Sequence, residues 1–200
     1  MWVKEKFYRK KLKKILTFTL LILLFQSSHA YSSIKEKIIK TFNETKNISF
    51  NFEQLINDKK EYGECILEYP KLIYCLYAGK DKKKMVSNGK SLVIKNLRKN
   101  NYYIYPLKKT SLNYLLDKKF LINQIKNSKL LNDENKLISF QIENNSTIIN
   151  VYFDNKTFDM LGWETIDMYK NKVNFKILKI KKNITINKKI FILPKSDQQP

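Results

Sequence analysis

The 200-residue chain has one histidine, two cysteines, two tryptophans, four glycines and four prolines. The histidine, His29, falls within the first thirty residues. Beyond it no imidazole is available as a general base, which removes Ser-His and Cys-His nucleophile pairs. Cys65 and Cys75 have neither zinc-ligand spacing nor histidine neighbours. Four scattered glycines make no phosphate-cradling loop. Acid is scarce as well, with 18 Asp and Glu against 39 Lys and Arg, for a formal net charge of +21. The pair Asp133/Glu134 lies in a polar stretch and reads as solvated surface. The residues thus imply no enzyme, no catalytic group, no metal and no cofactor. No apolar run reaches the ~20 residues needed to span a bilayer.

What is present begins with an export signal. Lys4, Lys6, Arg9, Lys10, Lys11, Lys13 and Lys14 precede an uncharged apolar run from Ile15 to Phe25. Ser28 and Ala30 follow in the −3 and −1 places of a cleavage site. A single membrane anchor is the rival reading, and the run is short for it. The pattern predicts a signal peptide over 1–30 cut after Ala30, a single domain over 31–194, a polar tail over 195–200, and a periplasmic protein. Residue 31 is Tyr rather than Cys, so no acylated cysteine starts the mature chain. Removing residues 1–30 takes away seven cations and one acid, leaving a net charge of about +15. Arg98 is the only arginine left. An exported chain has little access to nucleic acid, and none is expected as a partner. The charge reads either as a solvated lysine-rich surface or as steering toward anionic lipid or acidic protein.

Gly63 to Tyr77 reads as two strands folded about Pro70, whose ring fixes φ and bends the chain. If residues whose numbers sum to 140 pair, Cys65 faces Cys75 and Leu67 faces Ile73. In an oxidising compartment such a pair is expected as a disulfide.

Elsewhere the apolar period alternates between helix and strand. Ser33 and Glu36 have capping-box spacing, and Ile34, Ile38 and Phe42 form a stripe on a helix of about three turns. Two short apolar helices follow Thr110, one carrying Leu112, Leu115 and Leu116, the other Leu121 and Ile125. Between and after them runs a meander of about ten antiparallel strands, the last over Ile190 to Leu193. The fold class predicted is mainly β with a few helices. A long meander curls, either closing as a barrel or bending into a half-barrel. The inward candidates are Phe50, Phe52, Leu67, Ile73, Tyr103, Tyr105, Phe140, Val151, Phe153, Trp163 and Phe175, with Tyr69 at the hairpin tip. Such stripes are ordinarily core under helices. The alternative is an apolar pocket beneath a helical lid, suited to acyl chains.

A series of short motifs runs through the chain: Phe50-Asn51-Phe52-Glu53-Gln54, Gly63 opening a strand, strand–Pro70–strand, Val86 to Leu92 through Asn88-Gly89, Tyr105-Pro106-Leu107, Thr110-Ser111-Leu112 with Leu115-Leu116, and Phe191 with Pro194. In order and spacing these motifs resemble the periplasmic lipoprotein carriers of the LolA family. The resemblance covers nearly all of 34–194. It implies an unclosed antiparallel β-barrel with an α-helical lid over a hydrophobic cavity. It implies a monomeric carrier that takes acylated lipoproteins from an inner-membrane ABC release complex and passes them to an outer-membrane acceptor. The cavity residues would be those above, and the lid residues Ile34, Ile38, Phe42, Leu112, Leu115, Leu116, Leu121 and Ile125. A LolA-like lipid or lipoprotein sensor is the other reading of the same fold, and an enzyme acting on envelope lipids a further one. The arginine that the family commonly has before the hairpin proline, where it bonds the lid, is Tyr69 here, and Ser111 stands where proline is usual.

Overall fold

A computed structural model describes residues 33–195, apart from 80–81, 100, 133–136, 145–146 and 168. The signal peptide with its cut after Ala30, the pair Asp133/Glu134 and residues 196–200 of the tail lie outside the described residues. Eleven strands form one antiparallel sheet: β1 (Asn47–Ile56), β2 (Lys59–Glu68), β3 (Leu72–Tyr77), β4 (Lys83–Asn88), β5 (Ser91–Asn96), β6 (Tyr102–Pro106), β7 (Leu130–Asn132), β8 (Leu137–Asn144), β9 (Thr147–Asp154), β10 (Met160–Ile166) and β11 (Lys172–Lys182). The order across it is β6-β5-β4-β3-β2-β1-β11-β10-β9-β8-β7. Pairing of β1 with β11 joins the two halves of the meander, and the sheet does not close. Among the described residues three α-helices accompany it: α1 (Ile34–Glu44), α2 (Leu112–Leu115) and α3 (Lys118–Asn127).

Local chemistry accounts for these elements. In β1, Ile48, Phe50 and Phe52 are buried at alternate positions, the period of a half-buried strand. β2 starts at Lys59, earlier than the apolar pattern from Gly63 suggests. Its polar start is held across the pair to β1, where Lys60 meets Glu53 at 3.0 Å. Asp117 caps α3 by accepting from the Phe120 N–H at 3.1 Å. The buried stripes Ile38 and Phe42 of α1 and Leu121 and Ile125 of α3, with Leu115 and Leu116, meet Phe50, Leu67, Phe140, Val151 and Phe153 in one core.

The strand expected over Ile190 to Leu193 is instead a 3-10 turn, Lys188–Phe191. Asn187 caps it by accepting from the Lys189 N–H, and the turn buries Phe191 against β3 and β4 rather than extending the sheet. Val86 and Val93, buried outside the main core, lie on the sheet face that this C-terminal arm covers. The arm is tied down where it leaves β11. The Asn47 side chain bonds both the N–H and the carbonyl of Ile184, and that of Asn183 bonds the Lys46 N–H and the Glu44 carbonyl. The short β7 is also absent from the sequence pattern.

Candidate functional site

Four aromatic side chains form a row across the helix-covered face of the sheet. Trp163 stacks on its cross-strand partner Phe175, ring centroids 4.1 Å apart. Phe175 stacks on Phe52 at 5.0 Å, and Phe52 meets Tyr77 edge-on at 4.9 Å. Phe52 lies on β1 and Tyr77 on β3, so β2 runs between them. Contact is possible because the intervening residue is Gly63, which pairs with both. A Cβ there would meet the Leu76 carbonyl oxygen and lie 2.7 Å from the Phe52 ring.

Beside this row is a cavity of about 210 Å³. Its apolar walls include Ile73, Met85, Leu92, Ile94, Trp163, Val173 and Phe175. Thr110, Ser111 and Leu112, at the start of α2, line its helix side. Polar groups gather around it. The Tyr77 hydroxyl donates to the Gln54 side-chain oxygen at 3.1 Å, and burial pushes the Tyr77 phenol well above its usual range. Lys83 lies 3.8 Å from the centre of the Tyr77 ring and pairs with Glu61. Burial pushes the Glu61 carboxyl up, but Lys83 and Lys59 outweigh it and hold the group below its usual range. Tyr105 of edge strand β6 and Tyr169 of the β10–β11 loop share a hydroxyl–hydroxyl bond of 3.3 Å. That bond, then burial, pushes the Tyr105 phenol up to about 12.

Of the expected wall and lid residues, Ile73, Tyr105, Trp163, Phe175 and Leu112 line this cavity, and Phe52 backs it through Phe175. Phe50, Leu67, Phe140, Val151 and Phe153 do not line it: they are packed under the helices, with Phe153 edge-on to both Phe42 and Phe140 at 5.9 Å. Ile38, Phe42, Leu115, Leu116, Leu121 and Ile125 supply the other side of that core. Ile34, the first residue of α1, is 38% exposed. Tyr103 is on the expected face, opposite Ile94, but is 50% exposed because edge strand β6 has no outer neighbour to cover it. Met85, Leu92, Ile94, Val173 and Tyr77 are lining residues that the sequence reading did not single out. Strict alternation, counted from Ile73 on β3 and from the Asn88-Gly89 turn on β5, carries the signal for Tyr77, Leu92 and Ile94.

Tyr69 lies elsewhere, beside a cleft of about 20 Å³ with Phe42, Thr45 and Ile48. Its ring is edge-on to Phe42 at 6.2 Å, and burial pushes its phenol well up. The cation at this point comes from the helical segment. Lys118 sits 5.2 Å from the Tyr69 ring centre and donates to the Thr45 carbonyl at 2.6 Å, and burial holds its ammonium below the usual range. Next in the hairpin, the Lys71 N–H donates to the Leu116 carbonyl at 2.9 Å. The Lys71 ammonium reaches Asp117 and Asn113, each at 3.2 Å. The hairpin tip therefore grips the turn between α2 and α3. Its base is cross-linked as expected: Cys65 and Cys75 are in register, Cα atoms 4.1 Å apart, and form a disulfide, and Leu67 faces Ile73. Among the described residues no group of three or more His, Cys, Asp or Glu is placed to hold a metal ion, and no helix is long and apolar enough to cross a membrane.

An unclosed sheet, three helices and an apolar cavity agree with the family comparison, in which the model "Outer membrane lipoprotein carrier protein LolA" matches residues 43–193. The chain belongs to the LolA family. Among solved structures, an uncharacterized conserved protein from Thermus thermophilus is similar at a TM-score of 0.51 and 10% identity, over 82% of this chain and 94% of that one. A LolA superfamily protein from Nitrosomonas europaea has a TM-score of 0.43 and 8% identity, over 80% and 96%. The MucA/MucB complex of Pseudomonas aeruginosa gives 0.47 and 9%, over 82% of this chain and 60% of that one. Comparison with curated proteins gave no match.

Proposed function

We propose that this LolA-family chain is a periplasmic carrier that holds the acyl chains of lipoproteins in the cavity beside the Trp163–Phe175–Phe52–Tyr77 row. It takes them from an inner-membrane ABC release complex and delivers them to an outer-membrane acceptor. The observation that supports the reading is the cavity itself, about 210 Å³ with apolar walls and a largely polar fringe. A cavity of about 150 Å³ lined by aliphatic and aromatic side chains stays dry and accepts benzene, so this one accommodates a hydrocarbon segment. Each methylene withdrawn from water contributes about 0.8 kcal/mol. The site needs no chemistry of its own, since carriage is differential burial. The core beneath the helices is the scaffold, and the cavity at Leu112 is the part that receives cargo.

Trp163 is the only tryptophan in residues 31–200, and it stands in the cavity wall. Titrating that chain with hexadecanoate is expected to give a saturable change in tryptophan emission. Leu92→Glu or Ile94→Glu is expected to abolish it while the protein stays folded. Incubation with inner-membrane vesicles is then expected to release a labelled lipoprotein into a complex that outer-membrane vesicles deplete. A protein that binds hexadecanoate yet leaves all lipoprotein on the donor vesicles is not a carrier.

A further inference from the structure

From Lys82 to Leu116 the chain carries nine lysines and arginines and not one aspartate or glutamate. This segment builds β4, β5 and β6, the last of them a free edge of the sheet. The direction of the backbone groups in β6 follows from two bonds. The Asn96 N–H donates to the Asn101 carbonyl, and the Leu107 N–H to the Lys90 carbonyl. Bonded positions recur at every second residue of an antiparallel pair. Residues 101, 103, 105 and 107 therefore turn their backbone toward β5, while Tyr102, Ile104 and Pro106 turn theirs outward. Among the described residues nothing pairs with that outer row.

Edge strands are commonly protected by a charge within the strand. β6 reads Tyr-Tyr-Ile-Tyr-Pro and has none. Tyr103 and Ile104, on opposite faces, are 50% and 55% exposed. Exposed cations bracket the strand, Arg98 and Lys99 before it and Lys108 and Lys109 after it. Open backbone donors and acceptors, exposed β-forming side chains and positive charge at both ends form one template.

We propose that the β6 edge takes an extended acidic segment of a partner protein as an additional strand. The outward N–H and C=O groups of Tyr102 and Ile104 supply the ladder, as in other strand-addition complexes. The two cation pairs select acids at the ends of the incoming segment. A second copy of this chain is disfavoured at the same edge, because edge-to-edge pairing brings two acid-free cationic surfaces together. The strand's Tyr105 side chain lines the cavity, but the outward row of Tyr102 and Ile104 does not, so the test reads those two amides with no acyl ligand present.

The probe is the peptide acetyl-Glu-Glu-Val-Thr-Val-Tyr-Val-Glu-Glu-amide, with a control in which every Glu is Lys. Amide NMR and fluorescence anisotropy are read on the mature chain. The acidic peptide is expected to bind, to perturb and protect the Tyr102 and Ile104 amides, and to weaken as salt rises, while the lysine peptide does not bind. The double substitution Lys108→Glu, Lys109→Glu leaves the strand intact and is expected to weaken binding about tenfold or more. Ile104→Pro removes one outward N–H and is expected to abolish the perturbation at Tyr102. The proposal is overturned if the acidic peptide does not bind, if both peptides bind equally, or if the shifts map away from β6. It is also overturned if phosphatidylglycerol vesicles displace the peptide and protect the same amides, which makes the edge a lipid-docking surface.

Discussion

Gly63 does more at the residue scale than its composition suggests. Its backbone has no positive φ, so conformational freedom is not why glycine stands there. The reason is space, because Phe52 and Tyr77 meet across it. In Gly63→Ala the new methyl meets a backbone carbonyl and a ring already stacked on Phe175, neither of which swings away cheaply. The expected cost is about 1–3 kcal/mol, read as a lower urea midpoint with an unchanged slope. A midpoint equal to that of the unsubstituted protein would mean that the aromatic row repacks freely. This role was not legible in the sequence, which marks Gly63 only as opening a strand. Phe52 and Phe175 are far apart in the chain, and their stacking depends on β1 pairing with β11, which no local pattern encodes. Cys65 and Cys75 were legible because one turn sets their register.

The decisive contacts among elements lie between the hairpin tip and the short helices. α2 has four residues, and a helix that short does not persist alone in water. Lys71 holds its C-terminal end through the Leu116 carbonyl, Asn113 and Asp117. Asp117 serves twice, as ion partner of Lys71 and as N-cap of α3. The two roles separate by substitution. Asp117→Asn keeps an oxygen for the Phe120 N–H and loses the ion pair, whereas Asp117→Ala loses both. The alanine variant is expected to be destabilised by about 1 kcal/mol through the cap, with the half-exposed ion pair adding a few tenths. Hydrogen exchange over 112–127 is expected to be fastest in the alanine variant, intermediate in the asparagine variant and slowest in the parent. Identical exchange in all three would remove the latch. The sequence located these helices by their apolar stripes but could not place their lock. At Tyr69 the cation of the contact is Lys118, on the helical side. The misread final strand shows the same limit: Ile190 to Leu193 has strand composition, but Asn187 and a burial site for Phe191 make it a turn.

For the whole molecule, alternation along the strands revealed a long meander, and the family motifs pointed to its not closing. What alternation could not reveal is how little of the inward face is cavity. Phe50, Phe140 and Phe153 are consumed in packing beneath the helices, and the cavity that remains on this face lies at the flank near Leu112. That division has a kinetic consequence. A cavity of about 210 Å³ is not much larger than the roughly 150 Å³ that accepts benzene, so in this form it takes only part of a long acyl chain. Short chains should enter the cavity as it stands, while long ones should wait for α2 and the following turn to lift from the hairpin tip. Stopped-flow tryptophan emission is therefore expected to show hexanoate association rising linearly with ligand concentration. For hexadecanoate the observed rate is expected to saturate at the opening rate and to be the same for tetradecanoate. Asp117→Ala, which loosens the latch, is expected to raise that plateau and leave the hexanoate rate unchanged. Linear, non-saturating association at every chain length would show that the helices do not gate the site. A plateau insensitive to Asp117 would place the gate elsewhere, and the Tyr105–Tyr169 contact, which joins edge strand β6 to the β10–β11 loop beside the cavity, is then tested by Tyr169→Phe.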